Sequence, residues 1–128
     1  MAEVELKVIK DDKIELPIPT KWRPVFKDIV KAFVTHDYHL KSGVQDVQPI
    51  PNEAADQIRY FISDYGEELV ELPEETWDSS RYIWIGNRWD ALIDLWTVGE
   101  GSSDMVLSVQ VSESVNGYSF QVYMVYVP

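Results

Sequence analysis

The residues best equipped for chemistry in this 128-residue chain fall into three groups. His36-Asp37-Tyr38-His39 holds both histidines. On a continuous helix His36 and His39 stand one turn apart, a spacing at which two imidazoles can share a metal ion, with Asp37 or a distant carboxylate as third ligand. Such pairs are unspecific. His36 also falls roughly 40° from the centre of the local apolar stripe, at about 100° per residue. A half-buried histidine donating to a carbonyl is the simpler expectation, so neither a metal site nor a cofactor is expected, and His36 and His39 are the candidates if one exists.

The second group is Asp90, Asp94, Glu100, Ser103 and Asp104. Asp90 and Asp94 alternate on one face of an extended segment, about 13–14 Å apart at ~3.4 Å per residue. That distance is too long for two carboxyls to share a proton or flank a glycosidic bond. Gly99 to Asp104 is glycine-rich but has no lysine and opens no helix, so phosphate-loop chemistry is excluded. Salt bridging and turn capping are the expected roles of these acids. No nucleophile elbow, zinc-protease or EF-hand pattern occurs, and no catalytic residue is assigned. The third group is Asp64, Glu67, Glu68, Glu71, Glu74, Glu75 and Asp78, seven acids with no base between residues 64 and 78.

The charge is unevenly placed. Residues 1–51 carry eight bases and eight acids; residues 52–128 carry three bases and fourteen acids, so the whole net charge of −11 lies in the second part (3 − 14). Such a field disfavours nucleic acid and favours a basic protein partner, although solubility alone also accounts for it. There are no cysteines, which removes disulfides, thiolate catalysis and cysteine metal sites. No run of 18 apolar residues occurs and the start has no apolar core behind a basic flank, so neither membrane nor leader is expected and the default location is cytoplasmic.

The elements positioning these groups follow from periodicity. Val4, Leu6, Val8 and Ile14, Leu16, Ile18 alternate around Lys10–Lys13, which suggests an N-terminal hairpin or an arm pairing with another subunit. Trp22, Phe26, Ile29, Val30, Phe33 and Leu40 share a helical face, predicting a helix from Thr20 to about Leu40. Asn52 is expected to cap a second helix that ends at Gly66. The acidic stretch reads as a surface crossover with a short strand at 69–72 and a helical turn at 74–77. Strands then follow at 82–85, 88–97, 104–112 and 118–127. The expected fold is α+β: a two-layer sandwich of two N-terminal helices on a C-terminal four-stranded antiparallel meander, with a possible extra N-terminal hairpin, in one domain spanning 1–128.

Strand parity points Trp89, Ala91, Ile93, Leu95, Met105, Leu107, Val109, Val111, Phe120, Val122 and Met124 toward the helices. The outer face then holds Asp90, Leu92, Asp94, Trp96, Val106, Ser108, Gln110, Gln121, Tyr123 and Val125. This mixture suits an interface core with a polar rim, or a face covered by the hairpin or the crossover. Trp96, and with it Trp84, are the tryptophans expected at the surface as anchors.

The segment from Trp89 to Leu107, with Asp94-Leu-Trp-Thr97 followed by Glu100-Gly101-x-Ser103-Asp104, resembles a family of small uncharacterised bacterial domains. The resemblance implies no activity; it marks this turn and its flanking acids. The expected function is a non-enzymatic acidic binding module, of the immunity- or antitoxin-like kind, that docks a basic partner. Its candidate contacts are Asp90, Asp94, Trp96, Glu100, Ser103, Asp104 and Tyr123, with Glu67, Glu68, Glu71, Glu74 and Glu75 as an acidic docking stretch. A small-molecule or metal-dependent enzyme using Asp94, Glu100, Asp104 and His36 is the alternative and requires those groups to converge in a pocket. A homodimer is the third.

Overall fold

The structure is a computed structural model and describes residues 7–128. Its elements are β1 (Leu16–Pro17), α1 (Arg23–Val34), α2 (Asn52–Tyr65), β2 (Leu69–Val70), β3 (Arg81–Trp84), β4 (Trp89–Thr97), β5 (Gly101–Ser114) and β6 (Gly117–Tyr126). Short 3-10 turns at Thr20–Trp22 and Glu74–Asp78 precede α1 and β3. The class is α+β, but among the described residues the sheet has six strands rather than four, all antiparallel, in the order β1-β3-β4-β5-β6 with β2 off this path on β4. The extra strands are β1, paired with β3, and β2, paired with the far end of β4. The expected N-terminal hairpin draws on residues 4–6, which lie outside the described residues; its other half, Leu16–Pro17, pairs with β3.

One core joins both helices to the inner face of the sheet. Trp22, Phe26, Ile29, Val30 and Phe33 from the first helical region, and Ala55, Ile58 and Ile62 from α2, are buried with Trp89, Ala91, Ile93, Leu95, Met105, Leu107, Val109 and Val111. Burial alternates strictly along β4, as its sequence predicts. Trp22 is the hub, with edge-to-face contacts to Tyr82, Trp89, Tyr118 and Phe120 at centroid distances of 5.2–6.1 Å. Trp84 packs on Trp89 at 4.8 Å, so it is a core-edge residue and not an exposed anchor.

The expected parity fails in β6, at a bulge, while in β5 the expected inner set Met105, Leu107, Val109 and Val111 is buried despite a bulge there. In β6, Val109 opposes Val122 while Ser108 opposes Met124, so Tyr123 is an extra residue. Beyond it the faces exchange: Val125 is buried and Met124 is part-exposed, the reverse of the expectation. In β5, Asp94 opposes Val106 and Trp96 opposes Ser102, so Leu95 alone faces Ser103, Asp104 and Met105.

The first helix also ends early. Thr35 terminates α1 and His36 adopts φ 65°, the left-handed conformation. The His36 N–H donates to Phe33 O (3.0 Å) and the Asp37 N–H to Ala32 O (2.9 Å), the paired bonds of a Schellman ending. The expected helix ran on to about Leu40; glycine is the usual residue for this conformation, and here histidine supplies it. Asn52 does not cap α2, since Pro51 is the N-cap and the Asn52 side chain is instead hydrogen-bonded to His39. Gly66, at φ 87°, ends α2 as expected.

Candidate functional site

The acidic stretch and the strand-turn acids, separated in sequence, meet at one edge of the sheet. Leu69 pairs with Thr97 and Val70 with Trp96, and the Val98 N–H donates to Glu68 O at 2.9 Å. This pairing lays residues 67–70 beside the β4–β5 turn. The Glu67 carboxylate sits so close to Gly99 that a Cβ there would collide with it. From the other side, the β5 bulge turns the Asp104 N–H toward the Tyr65 hydroxyl at the end of α2, to which it donates at 3.2 Å. Of the influences on the Tyr65 phenol, the Asp104 N–H is the largest and lowers its pKa. The Glu100 side chain, burial, and the charges of Glu100 and Asp104 together outweigh it, so Tyr65 titrates above its ordinary value. Glu67, Glu68, Glu100 and Asp104 are all exposed, as is Val98, at 65%. Among the described residues, none of these four acids has a lysine or arginine within ion-pair distance.

The remaining candidates separate from this edge to different degrees. Ser103 is structural: its Oγ donates to Leu95 O (2.8 Å) and accepts from the Met105 N–H (3.1 Å), stitching the bulge. Gly101 takes φ 73° beneath the Trp96 ring. The Glu-Gly-x-Ser-Asp pattern is therefore in large part the recipe for this bulged turn. Trp96 is part-exposed, with its indole N–H buried and without an acceptor among the described residues. Asp90 is paired with Arg88 at 3.2 Å. Asp94 accepts from the Ser79 hydroxyl. Tyr123 is exposed at the β6 bulge. Glu74 is drawn away to Lys27 of α1 (2.9 Å), which lowers its pKa, while Glu71 and Glu75 remain exposed.

Sequence reasoning missed Thr76 and Ser80. Between β2 and β3 no strand among the described residues covers the edge of β4 at Asp94. Thr76 Oγ1 donates to Asp94 O (2.7 Å), Ser80 Oγ accepts from the Asp94 N–H (3.0 Å), and the two hydroxyls touch at 3.2 Å. Thr76 is 0% and Ser80 1% exposed. The available signal was the run of hydroxyl residues Thr76, Ser79 and Ser80 around the Trp77 anchor in an otherwise acidic stretch.

The histidines do not form the proposed helical pair, because α1 stops before them. His39 Nε2 is 2.9 Å from Asn52 Oδ1, and His36 stacks on Tyr38 with centroids 6.0 Å apart. Among the described residues, no group of three or more histidine, aspartate or glutamate side chains is placed to hold a metal ion. His36, Tyr38, Arg59, Glu67 and Glu68 instead line a cleft of about 600 Å³ over Phe33 and Ile62; none of Asp94, Glu100 or Asp104 reaches it. Burial raises the Tyr38 pKa, against a smaller opposing effect of Arg59. The convergence required for a catalytic reading of Asp94, Glu100, Asp104 and His36 is absent from this cleft.

No helix among the described residues is long and apolar enough to cross a membrane. No curated protein and no solved structure matches the chain. Residues 30–128, which include the whole bulged turn and the acidic edge, match the family described as Domain of unknown function (DUF7668), and the chain belongs to that family.

Proposed function

We propose that the protein is a non-enzymatic binding module that docks a basic protein partner through the acidic edge around Val98, in the manner of an immunity or antitoxin-like protein. The observation that carries this reading is the meeting of two separate segments, with Glu67 and Glu68 laid beside the turn that holds Val98 and with Glu100 and Asp104 at Tyr65, and with no lysine or arginine in ion-pair contact with these acids among the described residues. Like charges held together destabilise a fold, and a cationic partner relieves that repulsion. Trp96 and Tyr65 border the patch and supply part-exposed aromatic surface, the composition that favours a stable contact. Self-association through the same edge would set like charges against each other, which favours a heterologous partner over a homodimer.

The test is capture by the immobilised chain at low and at high salt, compared with the variant Glu67→Gln/Glu68→Gln/Glu100→Gln, with retained proteins identified by mass spectrometry. Three lost contacts of about 0.5–1 kcal/mol each correspond to a 10- to 100-fold weaker affinity. A basic protein is expected on the native chain at low salt and not on the variant. An identical retained set on both, or no basic protein at low salt, refutes the reading.

A further inference from the structure

We propose a second docking site, at the other end of the sheet: an aromatic cradle formed by Tyr82, Trp84, Trp89 and Glu113 that receives an extended lysine-bearing segment of a partner protein. In the isolated chain its own residues 7–10 fill it. The Tyr82 hydroxyl accepts from the Ile9 N–H at 2.9 Å and faces Lys7 O at 3.4 Å, and the Trp89 indole N–H donates to Ile9 O at 3.0 Å. Tyr82 and Trp89 are each 2% exposed, so two buried polar groups are aimed at one stretch of extended main chain. The Lys10 ammonium then lies 5.0 Å from the Trp84 ring centroid and 5.8 Å from that of Trp89, and pairs with Glu113 at 2.6 Å.

This arrangement reads backbone at one position and charge at the next. The Ile9 side chain is 45% exposed, so its identity is not selected, whereas Val8 packs partly on the core. The cradle therefore specifies an apolar residue, any residue, then a lysine or arginine, in extended form. A partner segment of that pattern can make the same contacts. The occupant is held by these cradle contacts and by Val8; after it Asp11 to Glu15 are exposed, and β1 is two residues long. All four cradle residues fall within residues 30–128, while their occupant lies outside them. Trp89 and Thr97 stand at opposite ends of β4, eight positions apart and roughly 27 Å at ~3.4 Å per residue, so this site does not depend on the acidic edge.

The probe is a fluorescent synthetic peptide with the sequence of residues 7–13, titrated into the full chain. The substitution Lys10→Ala weakens the internal competitor, and the peptide is expected to bind that chain about tenfold more tightly than the native one. Adding Glu113→Gln should weaken binding at least about fivefold, and a peptide carrying glutamate at the Lys10 position should not bind. The acidic-edge variant should leave peptide affinity unchanged, which separates this proposal from the preceding one. No binding to the Lys10→Ala chain, or binding indifferent to Glu113→Gln, overturns it. Sedimentation of the native chain showing a dimer that the free peptide dissolves would make a second copy the occupant and overturn the commitment to a partner. Hydrogen exchange of the unaltered protein gives an independent reading. The Ile9 amide is expected to exchange at least about 100-fold faster than that of Ile93, and equal protection would mean that the segment leaves only on global unfolding and the cradle is never free.

Discussion

Thr76→Val tests whether hydroxyl groups substitute for a missing strand. Valine matches threonine in shape and leaves the packing beside Trp77 intact, so the change isolates the hydroxyl. Removing Oγ1 strands the Asp94 carbonyl, and Ser80→Ala strands the Asp94 N–H. A buried backbone group left without a partner costs about 1–3 kcal/mol. Because Asp94 is part-exposed and water can reach its vicinity, the lower range applies, about 1–2 kcal/mol for each substitution. The two hydroxyls also contact each other, so each single change already perturbs the other. The double variant should lose about 0.5–1 kcal/mol less than the sum of the singles. At this chain length each single change lowers Tm by about 3–10 °C. The assay is urea unfolding followed by tryptophan fluorescence, with the slope compared across variants. An unchanged slope with a lower midpoint reports native-state stability. A Thr76→Val loss under about 0.3 kcal/mol together with additive effects in the double variant would refute the reasoning.

Two further outcomes follow from the loop after α1. Histidine at φ 65° is strained relative to glycine, so His36→Gly should raise stability by up to about 1 kcal/mol despite losing the stack on Tyr38, visible as a higher urea midpoint; a lower midpoint would mean the stack outweighs the backbone strain. Asp37 accepts from the Lys41 and Ser42 N–H groups, in that order of influence, and its pKa is held below 3.8. A depressed carboxylate pKa contributes stability above its unfolded value that is lost as pH falls through the folded one. The deficit of Asp37→Asn relative to the native chain should therefore be complete at neutral pH and shrink below pH 3.8; midpoints measured at several pH values check this, and a deficit unchanged in acid would count against it.

What could be read in advance depended on how far a rule ran before an irregular residue interrupted it. The β4 pattern was legible because its nine residues contain no bulge of their own, so the outward set Asp90, Leu92, Asp94 and Trp96 stands where alternation puts it. The same rule failed past Tyr123, because one extra residue exchanges the faces of everything after it and nothing in Gln-Val-Tyr-Met-Val marks the insertion. The length of α1 failed for a related reason: apolar spacing continues to Leu40, while the chain direction is decided at His36 by a conformation for which histidine is only an occasional substitute. The acidic edge was half legible. Both acidic segments were visible, but their meeting depends on the pairing of a two-residue strand with the end of β4, a nonlocal contact that two apolar residues among glutamates do not announce. The cradle was illegible because it depends on where a hydroxyl and an indole N–H sit relative to main chain more than seventy residues away.

The sheet itself narrows how this protein can bind. An open strand edge invites another chain to add to it. Here β6, the outer strand on one side, is engaged at both ends. The Phe120 N–H donates to Asp46 O and its carbonyl accepts from the Gln48 N–H, while the Gln57 amide meets both the N–H and the carbonyl of Val125 at 3.4 and 2.8 Å. On the other side β1 contributes two residues, one of them proline, which has no N–H to offer a neighbour. The gap at Asp94 is filled by hydroxyls. Recognition by strand addition is thus blocked along much of the sheet. The two proposed sites accordingly use side-chain surface at the ends of β4, the acidic edge at one end and the aromatic cradle at the other.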